Sequence, residues 1–279
     1  MSKILSFEQE FIKQQPNRPQ VLRFMREAID KEEIQWEDIT SYNLSLVRTH
    51  ICAKVAGNSA CTYLGIIKAF LANYIDEKIY PCKNPYKELK AKRVPSQHIA
   101  LTEDEVKRFD GYVPKTDNER DVKILFMRGC LTGARMSDAM NLSMKNINEG
   151  VLNYVSQKTK MEVVQPVHKM LAKYLRQQPA KEHKRADINR ILRSICKRIG
   201  INEEVSLFVA GKMKTGPKYE FVSMHTSRRT FCSCLAIREV PVSVISKLAG
   251  HSTTNMTDRY ICINAKKPAD KAMQFFNGE

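Results

Sequence analysis

The residues best suited to chemistry lie in the last fifth of the chain, in the stretches HTSRRTF (225–231) and AGHSTTNMTDRYICI (249–263). His225 and Arg228 are three residues apart, so they share one face of a predicted helix and could bind one phosphate group together. Gly250 is predicted to end the preceding apolar helix and to expose His251. Tyr260 follows in a polar setting, where it is either an ordinary half-buried tyrosine or a nucleophile.

A further arginine, Arg135, stands in TGARMSDAM (132–140). It follows a predicted tight turn at Gly133 and begins a helix, a place from which a guanidinium can reach out and clamp phosphate oxygens. Taken singly, each of these histidines, arginines and tyrosines is commonplace in helices. It is their order and spacing along the chain that favours a common function.

The charge of the chain favours a polyanionic partner. The formal net charge is +16 and the isoelectric point is near 9.5; residues 1–100 contribute +4 and residues 101–279 contribute +12. Such a field attracts nucleic acid and is hard to explain for an enzyme of small metabolites. A solvated basic helix face would explain one cluster, but a bias over the whole chain favours contact with DNA phosphates.

Composition also limits the class of protein. The chain has 279 residues, of which 43% are hydrophobic, and no run approaches eighteen apolar residues, so we expect a soluble protein of the cytoplasm. The eight cysteines are scattered through apolar or helical patterns, which is typical of a reducing compartment. Neither their spacing nor that of the histidines suits a metal, and we expect no metal and no cofactor.

The sequence predicts a mainly α fold of two domains, whose helices and strands would position these residues. Apolar periodicity predicts a helical bundle over residues 1–82, and a proline-containing basic stretch predicts a linker over 83–98. The second domain, 99–279, opens on a capping box formed by Thr102 and Glu105. A β-hairpin is predicted around QKTK (157–160), and the remainder is predicted to be helical, so this domain is mixed α/β but mostly α.

In order and spacing, these motifs resemble those of the tyrosine recombinase (phage integrase) family. That family carries TGxRxSEL, a lysine in a β-hairpin, HxxRRTF or HxLRHTF, and LGHSSxxxTxxYxH, in this order. The present chain has TGARMSDAM, QKTKMEVVQPV, HTSRRTF and AGHSTTNMTDRYICI at the corresponding places. It departs from the pattern in AGHS for LGHS and in Cys262, which stands where the family has histidine.

The resemblance implies a role for each site residue. Tyr260 would be the nucleophile, and Arg135 and Arg228 would hold the non-bridging oxygens of a phosphodiester. His225 and His251 would orient the phosphate and assist proton transfer. The general acid would be Lys158, with its neighbour Lys160 left open as the alternative. Asp138 would support the arginine or a nearby loop.

The function implied is that of a site-specific DNA recombinase or integrase that cleaves and rejoins strands through a 3′-phosphotyrosine. Residues 1–82 would then be a DNA core-binding domain, and residues 99–279 a catalytic domain with a C-terminal docking tail. The expected partners are a double-stranded recombination site, three further protomers that complete a homotetramer on DNA by exchange of the tail, and accessory DNA-bending proteins. A metal-free topoisomerase of the tyrosine type and a non-catalytic helical DNA-binding regulator are the alternatives.

Overall fold

The computed structural model describes residues 5–76, 78–180 and 185–262. The chain divides into two compact units. The front unit comprises the residues up to 97 together with 208–214, and the second unit comprises 98–207 together with the residues from 215 onward.

The front unit is a helical bundle, as its apolar periodicity predicts. Its core is rich in aromatic side chains, with Phe7, Trp36 and Phe70 packed at ring-centroid distances of 5.1 to 5.9 Å. A short 3₁₀ helix covers Trp36–Asp38. The α-helices are α1 (Phe7–Gln14), α2 (Pro19–Ile29), α3 (Ser41–Lys54), α4 (Gly57–Ala72) and α5 (Pro85–Glu88).

Part of the stretch predicted as a linker, 83–98, is folded. It contains α5, and Leu89 is fully buried in the core of the front unit. Asn58 holds the stretch further along, because its side-chain amide donates to the carbonyl of Val94 and its side-chain oxygen accepts from the amide of the same residue, at 2.7 and 3.0 Å. The DNA-binding role given to this unit stays a prediction.

The second unit is mostly helical and carries a small antiparallel sheet of three strands. Two 3₁₀ helices cover Met144–Asn146 and Lys218–Phe221. Its other elements are α6 (Glu103–Gly111), α7 (Asp117–Thr132), α8 (Met136–Asn141), β1 (Ile147–Asn148), β2 (Val151–Val155), β3 (Glu162–Pro166), α9 (Leu171–Leu175), α10 (Arg185–Arg198), α11 (Met224–Ile237), α12 (Val242–Ala249) and α13 (Thr254–Asp258). Two further strands between α10 and α11, β4 (Glu204–Val209) and β5 (Lys212–Pro217), form a second sheet, of which residues 208–214 belong to the front unit.

Helix α7 is the centre of this unit, and nearly all of it after the first turn is buried. The predicted capping box is present at the start of α6, where Thr102 and Glu105 exchange side-chain to backbone hydrogen bonds. Arg128 lies wholly inside the core and donates to backbone carbonyls of α8 and α9, at 2.7 Å from Ala139 and 3.0 Å from Tyr174. These bonds fasten α8 and α9 to the central helix.

The predicted hairpin around residues 157–160 is present as β2 and β3, which pair with Leu152 opposite Gln165 and Tyr154 opposite Val163. Strand β1 extends it to three strands. The prediction that the rest of the chain is helical was wrong for 204–217, which forms β4 and β5. Ala210 and Gly211 connect these strands with φ angles of 53° and 88°, the two positive values that a tight two-residue hairpin turn requires.

Within the described residues, no helix is both long and apolar enough to cross a membrane.

Candidate active site

The crossing of α7 and α11 places Arg228. A Cβ atom at Gly129 would lie 2.2 Å from Oγ of Ser227, so the two helices can approach this closely only because residue 129 is glycine. Helix α7 then ends at Gly133, whose φ of 65° is left-handed and favours glycine. The carbonyl of Gly133 accepts from Nη1 of Arg228 at 2.6 Å. The guanidinium is thereby fixed at the C-terminal end of α7.

His251 is the second partner of Arg228. Nε of the arginine donates to Nε2 of the histidine at 3.1 Å, so that ring nitrogen must be an unprotonated acceptor. A neutral ring then carries its proton on Nδ1, which lies 2.8 Å from Oγ1 of Thr257 and donates to it. Burial, followed by the positive charges of Arg228 and Arg135, lowers the pKa of His251 to about 3.

The prediction that Gly250 ends helix α12 is confirmed, but the prediction that it exposes His251 was wrong. Gly250 has a φ of 64°, and His251 is only 3% exposed. The left-handed turn directs the chain inward, and the backbone amide of His251 donates to the carbonyl of Ser246 at 2.9 Å. A Cβ atom at residue 250 would also lie 2.7 Å from Val163, which shows how closely this turn packs on β3.

Arg135 stands directly before the first residue of α8, after the predicted turn. Its Nη1 donates to Oγ of Ser156 at 2.9 Å, and that hydroxyl donates onward to Asp138 at 3.0 Å. The other oxygen of Asp138 accepts from the backbone amide of Gln157 at 2.9 Å. Asp138 therefore supports the arginine indirectly, by holding the β2–β3 loop against it.

Tyr260 lies two residues beyond the end of α13, not within a polar helix as the sequence indicated. Its ring is partly buried and packs 4.7 Å from the ring of His251, centroid to centroid. The guanidinium carbons of Arg228 and Arg229 lie 5.3 and 5.6 Å from the centre of the tyrosine ring. The ring also packs against a small apolar cluster around Phe231. Tyr260 is therefore partly packed and still adjoins the two arginines and His251.

Three of the predicted site residues are exposed. His225 stands in the first turn of α11, on the same face as the buried Arg228. Lys158 and Lys160 lie in the β2–β3 loop, and within the described part of the chain neither side chain has a hydrogen bond or ion pair. Lys160 has a positive φ of 55°. The choice between the two lysines stays a prediction.

Sequence reasoning missed three residues that contact the predicted site: Ser156, Thr257 and Arg229. Signals for two of them were available. Ser156 continues the inward alternation of Leu152 and Tyr154 along β2, and Thr257 occupies the threonine position of the TxxY pattern in the family motif. Arg229 carries no such signal, because the spacing of three residues from His225 selects its neighbour Arg228.

Positive charge accumulates here without a direct ion pair to a carboxylate among the described residues. Among the described residues, no ion pair joins Arg135, Arg228 or Arg229 to an acidic side chain. Arg228 is 2% exposed, and its Nη2 is buried with no hydrogen-bond partner there. An anion with several acceptor oxygens would satisfy these donors. No group of three His, Cys, Asp or Glu side chains converges in the described ranges, and the metal-free reaction stays a prediction.

A second tyrosine adjoins this charge. Tyr154, on β2, is close enough for Arg228 and Arg135 to act on its hydroxyl, but burial raises its pKa to about 12. It is 9% exposed. A phenol so buried is a poor nucleophile and hard to reach, so Tyr260 is the better candidate.

The fold is similar to that of several solved integrase structures. A dimer of lambda integrase residues 75–356 bound to a COC′ core site has 14% sequence identity and a TM-score of 0.65, with 92% of this chain and 95% of that chain covered. A lambda integrase tetramer bound to a Holliday junction has 15% identity and a TM-score of 0.63, with 93% and 78% covered. The Tn1549 transposon integrase in complex with a circular intermediate DNA has 13% identity and a TM-score of 0.62, with 98% and 100% covered.

At these identities the structural likeness shows a shared fold. A comparison with curated protein sequences gives no significant match. The model of the phage integrase family matches residues 100–267, which is more than half of the chain and includes every predicted site residue. The chain therefore belongs to the phage integrase family of tyrosine recombinases.

Proposed function

We propose that this protein is a site-specific DNA recombinase that cleaves and rejoins strands through a 3′-phosphotyrosine formed on Tyr260. The observation that carries the proposal is the buried Nη2 of Arg228, which has no partner among the described residues and lies beside His251 and Tyr260. A buried, unsatisfied cationic donor is costly unless a ligand supplies the acceptor. The phosphate of a DNA backbone is such an acceptor.

Binding of the phosphate would engage Arg228 and Arg135 together. Arg228 is already fixed by Gly133 and His251, and Arg135 by Ser156, so neither guanidinium has much freedom left to lose on binding. Preorganised donors of this kind act most strongly where negative charge builds up in the transition state. Here that place is the pentacoordinate phosphorus, whose non-bridging oxygens the two arginines would hold.

The reaction proceeds in two balanced steps. In the first, Oη of Tyr260 attacks the phosphorus and loses its proton, the bond from phosphorus to the 5′-oxygen breaks, and the 5′-oxygen leaves with a proton. In the second, the 5′-hydroxyl of a partner strand attacks the phosphorus and loses its proton, the bond from phosphorus to Oη of Tyr260 breaks, and the phenol regains a proton. The number of phosphoester bonds is unchanged in each step, so no external energy source is needed.

Proton transfers fall to the residues around the phosphate. Lys158 would protonate the departing 5′-oxygen. It lies in the exposed β2–β3 loop, and the hydrogen bond from Arg135 to Ser156 holds that loop beside the arginine that would bind the phosphate. His251 is neutral at ordinary pH and its Nε2 is occupied by Arg228, so it orients that arginine in the absence of DNA. His225 would contact the phosphate from the exposed first turn of α11.

The partner would be duplex DNA, as the net charge of +16 and the DNA-bound relatives suggest. Four strands must be cut for an exchange, so a homotetramer on DNA is part of the proposal. The C-terminal tail proposed to dock on a neighbouring protomer lies outside the described residues. A cytoplasmic, nucleoid-associated location and accessory DNA-bending proteins complete the proposal.

A selection on random DNA tests this function without knowledge of the target site. The protein is incubated with duplexes that carry a randomised segment and a nick, so that the short 5′-hydroxyl fragment diffuses away after cleavage. DNA that remains protein-linked after denaturation is recovered and sequenced. We expect enrichment of one sequence family, linked through its 3′ end, in the presence of a chelator.

The matched control is Tyr260→Phe, which keeps the volume of the ring and removes the attacking oxygen. It should bind the selected duplex almost as well as the unaltered protein and form no adduct. Binding without any covalent product from the unaltered protein would instead favour a non-catalytic DNA-binding regulator.

A further inference from the structure

Arg229 is half-buried and has no assigned task, but its Nε atom is fully buried. Its Nε has no hydrogen-bond partner within the described ranges, and no acidic side chain there pairs with its guanidinium. Burial is the main cause that lowers its pKa, yet an arginine stays charged at neutral pH. Removing part of this cation from water is unfavourable unless a nearby group compensates.

The ring of Tyr260 can compensate, because it lies against this cation. Successive residues of a helix point about 100° apart, so Arg228 and Arg229 diverge from α11. Nevertheless both guanidinium carbons lie within 5.6 Å of the centre of this one ring. The ring therefore lies between the two guanidinium groups, and each cation is attracted to its π electrons.

A second contact fixes the same segment. Ser233 lies four residues after Arg229, hence on the same face of α11. Its buried hydroxyl accepts from the backbone amide of Cys262 at 2.8 Å. One contact thus holds the ring of Tyr260 and the other holds the backbone two residues later, both from the helix that also supplies Arg228.

We propose that Arg229 is a positioning residue for the nucleophile and that, with Ser233, it anchors Tyr260 in the active site of its own protomer. This rests on the proposed role of Tyr260. Arg228 serves the phosphate, whereas Arg229 acts through the tyrosine ring. The two neighbouring arginines therefore differ in function despite their equal charge.

Three variants separate this role from a general effect of charge. Arg229→Met keeps a long apolar side chain and removes the cation, Arg229→Lys keeps the cation, and Arg238→Met removes one charge from the exposed end of the same helix. Adduct formation is followed in a single turnover on the selected nicked duplex, beside equilibrium binding of the same DNA.

Arg229→Met should form the adduct roughly 5- to 30-fold more slowly, the range of a partly desolvated cation–π contact, with a similar change in Kd to that of Arg238→Met. Arg229→Lys should recover most of the rate, and Arg238→Met should form the adduct at the unaltered rate. An unchanged rate in Arg229→Met, or a fall explained wholly by weaker binding, would overturn the inference.

A small nucleophile isolates the action on Tyr260. In Tyr260→Phe, hydrogen peroxide supplies an oxygen that attacks the phosphorus in place of the phenol, and the 5′-oxygen departs with a proton. Adding Arg229→Met should leave peroxide-dependent cleavage unchanged, while adding Arg228→Ala should abolish it. An equal loss with Arg229→Met would assign that arginine to the phosphate and remove the positioning role.

The two proposals fail in different ways. An adduct that persists in Tyr260→Phe would contradict the proposed function. Loss of the adduct in Tyr260→Phe, together with full activity in Arg229→Met, would leave the proposed function standing and contradict only the role of Arg229.

Discussion

Lowering the pH from about 7.5 to about 5.5 should reduce the free energy of unfolding by about 1.4 kcal/mol through His251 alone. Burial and the charges of Arg228 and Arg135 lower the pKa of this residue to about 3 in the folded protein. In the unfolded chain the same imidazole has its ordinary pKa of about 6.5. Between these two pKa values the unfolded state therefore binds a proton that the folded state does not bind.

The sign follows from that difference. Above about pH 6.5 the group is neutral in both states and costs nothing, while below it the unfolded chain gains a proton. As the pH falls further, the loss in the free energy of unfolding continues to grow until the pH approaches 3, where His251 of the folded protein is protonated as well. At about pH 5.5 the unfolded imidazole is protonated roughly tenfold over neutral, which is the source of the 1.4 kcal/mol.

Urea unfolding followed by far-ultraviolet circular dichroism measures the effect at both pH values. His251→Gln removes the titrating group and leaves all other histidines in place, so it should lose about 1.4 kcal/mol less than the unaltered protein over this interval. In NMR spectra, the His251 ring carbons should keep their shifts down to about pH 5.5. A titration midpoint near the ordinary value, with identical pH dependence in His251→Gln, would refute the buried, neutral imidazole.

Two further predictions concern the general acid and the helix crossing. A substrate with sulfur at the 5′-bridging position needs no protonation to leave, so it should restore cleavage by Lys158→Ala; restoration of Lys160→Ala instead would transfer the role to that residue. Gly129→Ala should destabilise the protein by roughly 1–3 kcal/mol in urea unfolding, because the new methyl group meets Ser227. The matched change Gly65→Ala, in α4 with nothing within 4 Å, should cause no loss, and equal effects of the two would contradict the account of the crossing.

Local features of the fold that lead to the site were predictable, because they depend on short-range sequence rules. The turn at Gly133 before Arg135, the capping box at Thr102 and the hairpin near Lys158 depend on residues within a few positions of one another. The order of the motifs then led to the correct family. The fold class followed from the same helical periodicity.

Features set by tertiary packing were not predictable in this way. His251 appears exposed in sequence because it follows a helix-ending glycine, but the approach of that turn to β3 buries it. The spacing from His225 selects Arg228 in sequence and gives Arg229 no role, and only the return of the chain after α13 brings Tyr260 against both arginines. Gly211 is a turn signal in the sequence, but the helical patterns on both sides of 204–217 favour helix there.

The central claim is that Tyr260 forms the covalent bond to DNA, and mapping that bond tests it most directly. The trapped adduct is digested with nuclease and protease, and the peptide that carries the residual nucleotide is sequenced by mass spectrometry. We predict a single modified residue, Tyr260, joined to the 3′-phosphate of the nucleotide. A nucleotide on Tyr154 or any other residue, or one joined through a 5′-phosphate, would contradict the mechanism proposed for this site.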